Sequence, residues 1–146
     1  MPDPVAYDGR VYIADSSAWS HAANPAVWDE WAAALRNQQL LTCPIVKLEL
    51  LYSARTGDDL DRLAADLAIL RDVPITRSVT NAALAAMREL AHLGPLHHRS
   101  VSIPDLLIAA AAADVAVGVL HYDADFDVLA DVLDFESRWV GTRGAL

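Results

Sequence analysis

The sequence predicts an α/β fold of three layers, a central and mostly parallel sheet flanked by helices, and three observations carry that expectation. Short β-prone runs alternate with stretches of helical periodicity, the pattern of βαβ units and of a parallel sheet covered on both sides. Apolar residues make up 54% of the chain against 21% charged, enough for a real core in 146 residues and 15.8 kDa. No repeat, linker or low-complexity segment divides the chain, so a single domain over 1–146 is expected.

Taken in order, Val11, Tyr12, Ile13 and Ala14 form a short strand that ends at Asp15. Asn24-Pro25 reads as a helix cap followed by proline at the first helical position, and the helix it starts places Val27, Trp28, Trp31 and Leu35 on one stripe. Residues 40–43 are a second buried strand. Pro44 then opens a helix over 44–55 that Gly57 closes. Residues 58–71 carry Leu60, Leu63, Leu67 and Leu70 at helical spacing, with acids and arginines opposite. Val73, Pro74 and Ile75 suit one short strand. Residues 78–93 are a further amphipathic helix with Leu84, Met87 and Leu90 inward and Gly94-Pro95 as its stop. After a polar loop over 96–100 comes an alanine-rich helix over 104–116, whose small residues permit close packing against other backbone. A third strand over 117–122, a short helix over 127–133 and a last strand over 135–140 complete the chain.

Composition excludes several function classes. Twenty acids against eleven bases give a net charge of −9 and a pI near 4.7, which argues against a protein that coats itself with nucleic-acid phosphate. The apolar content excludes intrinsic disorder. A single cysteine, Cys43, excludes an internal disulfide and a cysteine-based zinc cage. The acidic, proline-rich Met1-Pro2-Asp3-Pro4 lacks a signal-peptide pattern. The apolar run over 106–122 is interrupted by Asp114 and Gly118 and is too short and broken for a membrane span. A soluble, cytoplasmic domain with no membrane partner is expected.

Asp58, Asp59, Asp61 and Asp66 are an ordinary solvated helix face. Four other acids are placed differently. Asp15 ends the first strand, where ligands sit in parallel sheets, although it equally suits the role of a helix cap. Glu49 interrupts the apolar stripe of Ile45, Leu48 and Tyr52, so its charge needs a cation, a metal or a proton; Arg55 or Arg10 can serve from elsewhere. Asp105 lies in Ser102-Ile103-Pro104-Asp105, a capping-box-like run that explains an acid by itself. Asp123 follows the third strand with Asp125 and Asp127 close behind, but the glycine and distant glutamate of an EF-hand are missing. Two strand ends and a helix start can converge on one sheet edge, with Glu49 reaching it from a neighbouring helix. Four carboxylates in one pocket repel unless a divalent cation offsets them, and all-oxygen ligands suit magnesium or manganese. Such a site activates water and stabilises the charge of a phosphodiester in transition.

These residues resemble a PIN domain, most closely the VapC-type toxin ribonucleases of bacterial toxin–antitoxin pairs. The likeness runs from Val11 to Val140 through Ile13-Ala14-Asp15-Ser16-Ser17, Pro44-Ile45-Val46-Lys47-Leu48-Glu49-Leu50, Ile103-Pro104-Asp105-Leu106-Leu107-Ile108-Ala109 and Leu120-His121-Tyr122-Asp123-Ala124-Asp125-Phe126. It implies that Asp15, Glu49, Asp105 and Asp123 form a catalytic quartet holding Mg²⁺ or Mn²⁺. It also implies that Ser17 orients carboxylates or water, with Asp125 a further supporting residue. One departure is His121, which stands where these toxins usually carry a threonine. The resemblance implies an endoribonuclease acting on structured RNA such as tRNA or rRNA, a VapB-type antitoxin partner and a homodimer. Lys47, Arg55 and Arg99 are the candidate RNA-holding bases, and His97-His98 lie beside the last of them. Trp28, Trp31 and Tyr52 are candidates for a groove that receives the antitoxin, with core packing as the other explanation of the tryptophans.

Other functions fit less well. A haloacid-dehalogenase-like phosphatase needs a second Asp where Ser17 stands, and a receiver domain needs a late lysine, whereas the only lysine is Lys47. A DNA-directed nuclease of PIN-like fold and an inactive PIN-like binding module remain as alternatives.

Overall fold

The computed structural model describes residues 10–146, so the proline-rich run at Met1–Pro4 lies outside the described residues. Four strands form one parallel sheet: β1 (Tyr12–Ala14), β2 (Leu40–Leu41), β3 (Gly118–His121) and β4 (Ser137–Trp139). Their order is β2-β1-β3-β4. Tyr12 pairs with Leu40 on one side and Gly118 on the other, and His121 pairs with Trp139. The chain therefore leaves β1 toward one edge and returns through β3 on β1's other flank. The carboxyl ends of β1 and β3 flank the point where strand order reverses, which is where parallel sheets bind ligands.

Among the described residues seven α-helices surround the sheet: α1 (Ser16–Trp19), α2 (Pro25–Arg36), α3 (Pro44–Tyr52), α4 (Gly57–Leu67), α5 (Arg77–Leu93), α6 (Ile103–Asp114) and α7 (Asp125–Leu129). One apolar layer packs Ile13 and Val119 against α3, α5, α6 and α7; the other packs Tyr12, Ala14 and Leu120 against α1 and α2. Adjacent strand residues thus feed opposite layers, as the two-residue side-chain period demands. Ala109, Ala110, Ala111 and Ala112 are fully buried, which lets α6 run close to the sheet and to α5. Gly118 is required at the start of β3: a Cβ there would stand 2.6 Å from the Tyr12 ring and 2.9 Å from the Glu136 carbonyl oxygen.

The starts of the helices follow their side-chain chemistry. Asn24 Oδ1 accepts from the Ala26 N–H, Thr56 caps α4 and Thr76 caps α5. Several sequence expectations are corrected. Gly57 begins α4 rather than closing α3, which ends at Tyr52. The segment at Val73-Pro74-Ile75 forms no strand; a single bridge joins Thr42 to Asp72 instead. Leu84 is 58% exposed, because α5 turns Val79, Ala83, Ala86 and Leu90 inward. The stripe of Ile45, Leu48 and Tyr52 is divided: Ile45 is half-buried and packs against the core beside the buried Val46, whereas Leu48 and Tyr52 are exposed. Among the described residues no helix is long and apolar enough to cross a membrane.

Candidate active site

Asp15 follows β1 and starts α1, and the two possible roles turn out to be divided between its oxygens. Oδ2 accepts from the Ser17 N–H at 3.1 Å and from the Ser17 hydroxyl at 2.6 Å, which is the capping role. Oδ1 is buried and has no hydrogen-bond partner. Burial raises the Asp15 pKa; its bonds to Ser17 and Ser16 act against that, and the Asp123 charge adds to the rise. Ser17 Oγ also accepts from the Tyr122 N–H at 2.9 Å, so one hydroxyl ties the carboxyl end of β1 to that of β3.

Asp123 lies in the turn after β3. Its N–H donates to His121 Nδ1 at 3.1 Å, and its Oδ1 accepts from the Asp125 N–H at 2.9 Å. Asp125 Oδ2 in turn accepts from the N–H of Ser102, the residue whose Oγ caps α6 by accepting from the Asp105 N–H at 3.2 Å. The turn after β3 and the start of α6 are therefore pinned together. Asp105 is buried, and its pKa is pushed up to about 8, first by burial, then by the Asp15 charge, a hydrogen bond with Asp125 and the Asp123 charge. Oxygens of Asp105, Asp123 and Asp125 all lie within 4.8 Å of one another.

Glu49 reaches the same region from α3. Its pKa is raised by burial and then by the charges of Asp15 and Asp123, and Ser16 Oγ approaches its Oε1 at 3.5 Å. Neither cation considered from sequence neutralises it: Arg10 pairs with Glu136 at 2.7 Å, and Arg55 lies exposed beyond α3. The four acids singled out from sequence thus share one electrostatic neighbourhood. Asp125 sits closer to it than a supporting role requires, as part of the tight carboxylate group. The alternation of acids at 123, 125 and 127 was the available signal. A hard divalent cation suits this donor set, which is all oxygen, anionic and includes a buried carboxylate oxygen with nothing else to bind.

The remaining candidates separate. Lys47 is engaged by Asp72 at 2.7 Å. Arg99 is exposed in a short 3₁₀ turn, His97–Arg99, that leads into the start of α6, with His97 and His98 half-buried beside it. Trp31 is corrected: at 3% exposure it belongs to the core, edge-on to Trp19 at 4.9 Å, and lines no groove. Trp28 is 52% exposed and Tyr52 92%. His121, the departure from the usual threonine, is fully buried between Phe126 and Trp139. Its pKa is lowered to about 4 by burial, with Asp127 and Asp123 acting against the drop.

Comparison with known proteins places this geometry in context. The family model described as PIN domain matches residues 12–132. The chain is 44% identical to ribonuclease VapC18 of Mycobacterium tuberculosis over 136 residues, covering 93% of this chain and 99% of that one. It is 34% identical to ribonuclease VapC51 of the same organism, covering 92% and 96%. Among solved structures, VapBC-5 from Mycobacterium tuberculosis, a member of the VapBC family of toxin–antitoxin systems, superposes with a TM-score of 0.63 at 25% identity, covering 88% of this chain and 98% of that chain. VapBC2 from Rickettsia felis, solved with a DNA fragment from its promoter, superposes with a TM-score of 0.66 at 18% identity, covering 87% and 98%, a likeness of fold.

Proposed function

Because the chain belongs to the PIN domain family and to its VapC ribonucleases, we propose that it is an Mg²⁺- or Mn²⁺-dependent endoribonuclease toxin that cuts structured RNA, tRNA or rRNA, in the cytoplasm. The observation that carries this reading is the buried, unpartnered Asp15 Oδ1 at the strand-order reversal, in the field of Asp105 and Asp123. Asp15, Glu49, Asp105 and Asp123 would hold the cation, with Asp125 within reach of the same ion. When bound, the cation supplies the Lewis acidity that lowers the pKa of water and offsets charge on the phosphodiester. Hydrolysis there would join the water oxygen to phosphorus, break the P–O3′ bond and pass one proton of the water to O3′, leaving a 5′-phosphate and a 3′-hydroxyl.

The chain's own groups prepare that step. Ser17 holds Asp15 Oδ2 and leaves Oδ1 for the ion. Asp105, its pKa pushed up to about 8, would release a proton on binding a cation. With a net charge of −9, the protein has little general attraction for RNA, so the shape and unpaired bases of a loop must supply discrimination. Arg55 and Arg99 are exposed and are the bases assigned to hold RNA; Lys47 is already paired.

We further assign a VapB-type antitoxin and a homodimer as partners. The solved toxin–antitoxin neighbours and the exposed Trp28 and Tyr52 support the antitoxin partner. The test is cleavage of an RNA and DNA panel with 5′-end mapping. Asp15→Asn should lower cleavage by at least about 100-fold with the fold retained, a loss of the size expected when a group that stabilises the transition state is removed. Equal cleavage by wild type in EDTA, or cleavage of DNA in place of RNA, contradicts the reading.

A further inference from the structure

His121 holds a position that the quartet alone does not explain. The ring is fully buried, stacked on Phe126 with centroids 4.9 Å apart and met edge-on by Trp139 at 5.0 Å. Both of its nitrogens are engaged. Nε2 lies 2.7 Å from Ser137 Oγ, and Nδ1 lies 3.1 Å from the backbone nitrogen of Asp123. Ser137 Oγ is also 2.7 Å from Asp127 Oδ1, and Asp127 Oδ2 accepts from the Trp139 indole N–H at 3.0 Å.

The direction of every bond in this chain follows from what each group is able to do. A carboxylate only accepts, so the Ser137 hydroxyl gives its single proton to Asp127. The Ser137 oxygen then accepts, which requires His121 Nε2 to carry the hydrogen. Nδ1 is left bare, and a bare Nδ1 is what the Asp123 N–H needs. With the opposite tautomer, two N–H groups would face each other at a fully buried ring, at the cost of an unsatisfied donor. Three groups on β4 and α7, Ser137, Trp139 and Asp127, thus set the acceptor that meets the backbone of one carboxylate of the site.

We propose that His121, held in its Nε2–H tautomer by Ser137 and Asp127, is the positioning residue for Asp123, fixing that turn so that its carboxylate is presented for the cation. This inference rests on the reading of Asp15, Glu49, Asp105 and Asp123 as the cation site, and it goes beyond that reading by giving β4 a role in the site. Outer partners that orient a ligand typically matter by about 10- to 100-fold in metal affinity.

Two substitutions divide the ring's functions. In His121→Asn the amide oxygen stands near the place of Nδ1, so the Asp123 N–H keeps an acceptor while the reach to Ser137 is lost. In His121→Gln the amide lies near the place of Nε2, so contact with Ser137 is kept and the Asp123 N–H is orphaned. Mn²⁺ affinity of the full chain, titrated by electron paramagnetic resonance, should stay within about threefold of wild type in His121→Asn and fall by about tenfold or more in His121→Gln. A purely structural role predicts the reverse order or equal losses. Independently of both variants, ¹⁵N-labelled wild type without metal should show a protonated Nε2, an unprotonated Nδ1 and a slowly exchanging Asp123 amide. A protonated Nδ1, or His121→Gln binding Mn²⁺ as wild type does, overturns the proposal. Wild type that binds no Mn²⁺ overturns the cation site itself and this role with it, which keeps the two failures distinct.

Discussion

At the scale of single residues, the site is a crowd of carboxyl groups of which Asp15 and Asp105 are buried. The titration of two residues makes this testable in protein kept metal-free with EDTA. Asp105 keeps its proton up to about 8 in the folded chain but has an ordinary value of 3.8. Between those values the native state binds more protons than the unfolded one, so its stability falls as pH rises. His121 acts in the opposite sense, since its pKa drops from 6.5 to about 4 and its contribution is lost as pH falls through that interval. The two oppose each other below 6.5. Above it Asp105 acts without that offset up to about 8; Asp15 and Glu49, whose values are also raised, act in the same direction above the ordinary carboxylate range. The urea midpoint should therefore decline from pH 6.5 to 8, and less steeply in Asp105→Asn; a midpoint that climbs over this range contradicts the account.

The same crowding predicts a response to metal. Asp123→Asn removes one of the mutually repelling charges and should stabilise the metal-free protein. Mg²⁺ at millimolar concentration should raise the melting temperature of wild type, because binding to the native state adds about 2.7 kcal/mol at 100 times Kd. Calorimetry of both proteins with and without Mg²⁺ checks this. No shift in wild type, or an equal shift in the variant, counts against the cation site.

At the scale of elements, the helices and strands were largely legible from sequence, and the orientation of the helices was not. Periodicity says which residues share a face, but not which face the neighbours cover. Trp28 and Trp31 are three residues apart on α2, and only packing against α1 decides that Trp31 is interior while Trp28 looks outward. The same holds for Leu84 on α5 and Leu48 on α3. Asp15, Asp105 and Asp123 stood out because strand ends and helix starts have a fixed place in a parallel sheet, and Glu49 because it is an acid in an apolar stretch of α3. The closeness of Asp125 was not, since it depends on the turn geometry that sets its N–H on Asp123 and its carboxylate on Ser102. The chain from His121 to Asp127 was hidden too, because it joins residues by register between β3 and β4 rather than by spacing.

The element scale also carries a stability prediction. Gly118 faces a tyrosine that is not free to yield, because the Tyr12 hydroxyl donates to Glu136 at 2.9 Å and accepts from Arg138 at 3.0 Å. The second contact of an added Cβ is a backbone oxygen. Gly118→Ala should therefore cost about 1–3 kcal/mol in chemical denaturation, the range for overpacking. Cleavage per folded molecule should be unchanged, because Gly118 lies at the amino end of the sheet and the carboxylates at the other. An unchanged denaturation midpoint would show that β1 and β3 separate more readily than their close contact implies.

At the scale of the whole molecule, the exposed aromatic residues distinguish partner binding from folding. Trp28→Ala and Tyr52→Ala should weaken capture of a co-expressed antitoxin while leaving melting temperature and RNA cleavage near wild type, since both side chains face solvent. Trp31→Ala should instead destabilise the fold by about 3–5 kcal/mol, the range for truncating a buried aromatic residue. Pull-down, melting and cleavage assays on the three variants separate these outcomes. Equal antitoxin capture by Trp28→Ala, Tyr52→Ala and wild type would remove both residues from the partner surface.

The two outer strands of the sheet carry one more consequence. β2 is only Leu40–Leu41, with Pro44 shortly after, and β4 is only Ser137–Trp139. An extended peptide offering itself as a fifth strand would find a template of two or three residues, too short to hold it by main-chain pairing. Recognition by the partner proposed above would thereby fall to helix faces and the side chains on them. Main-chain pairing is nearly blind to sequence, whereas side-chain fit is not. A cell that carries several proteins of this fold can thus keep each one answerable to its own partner, and a few substitutions on an exposed helix suffice to insulate one pair from the next.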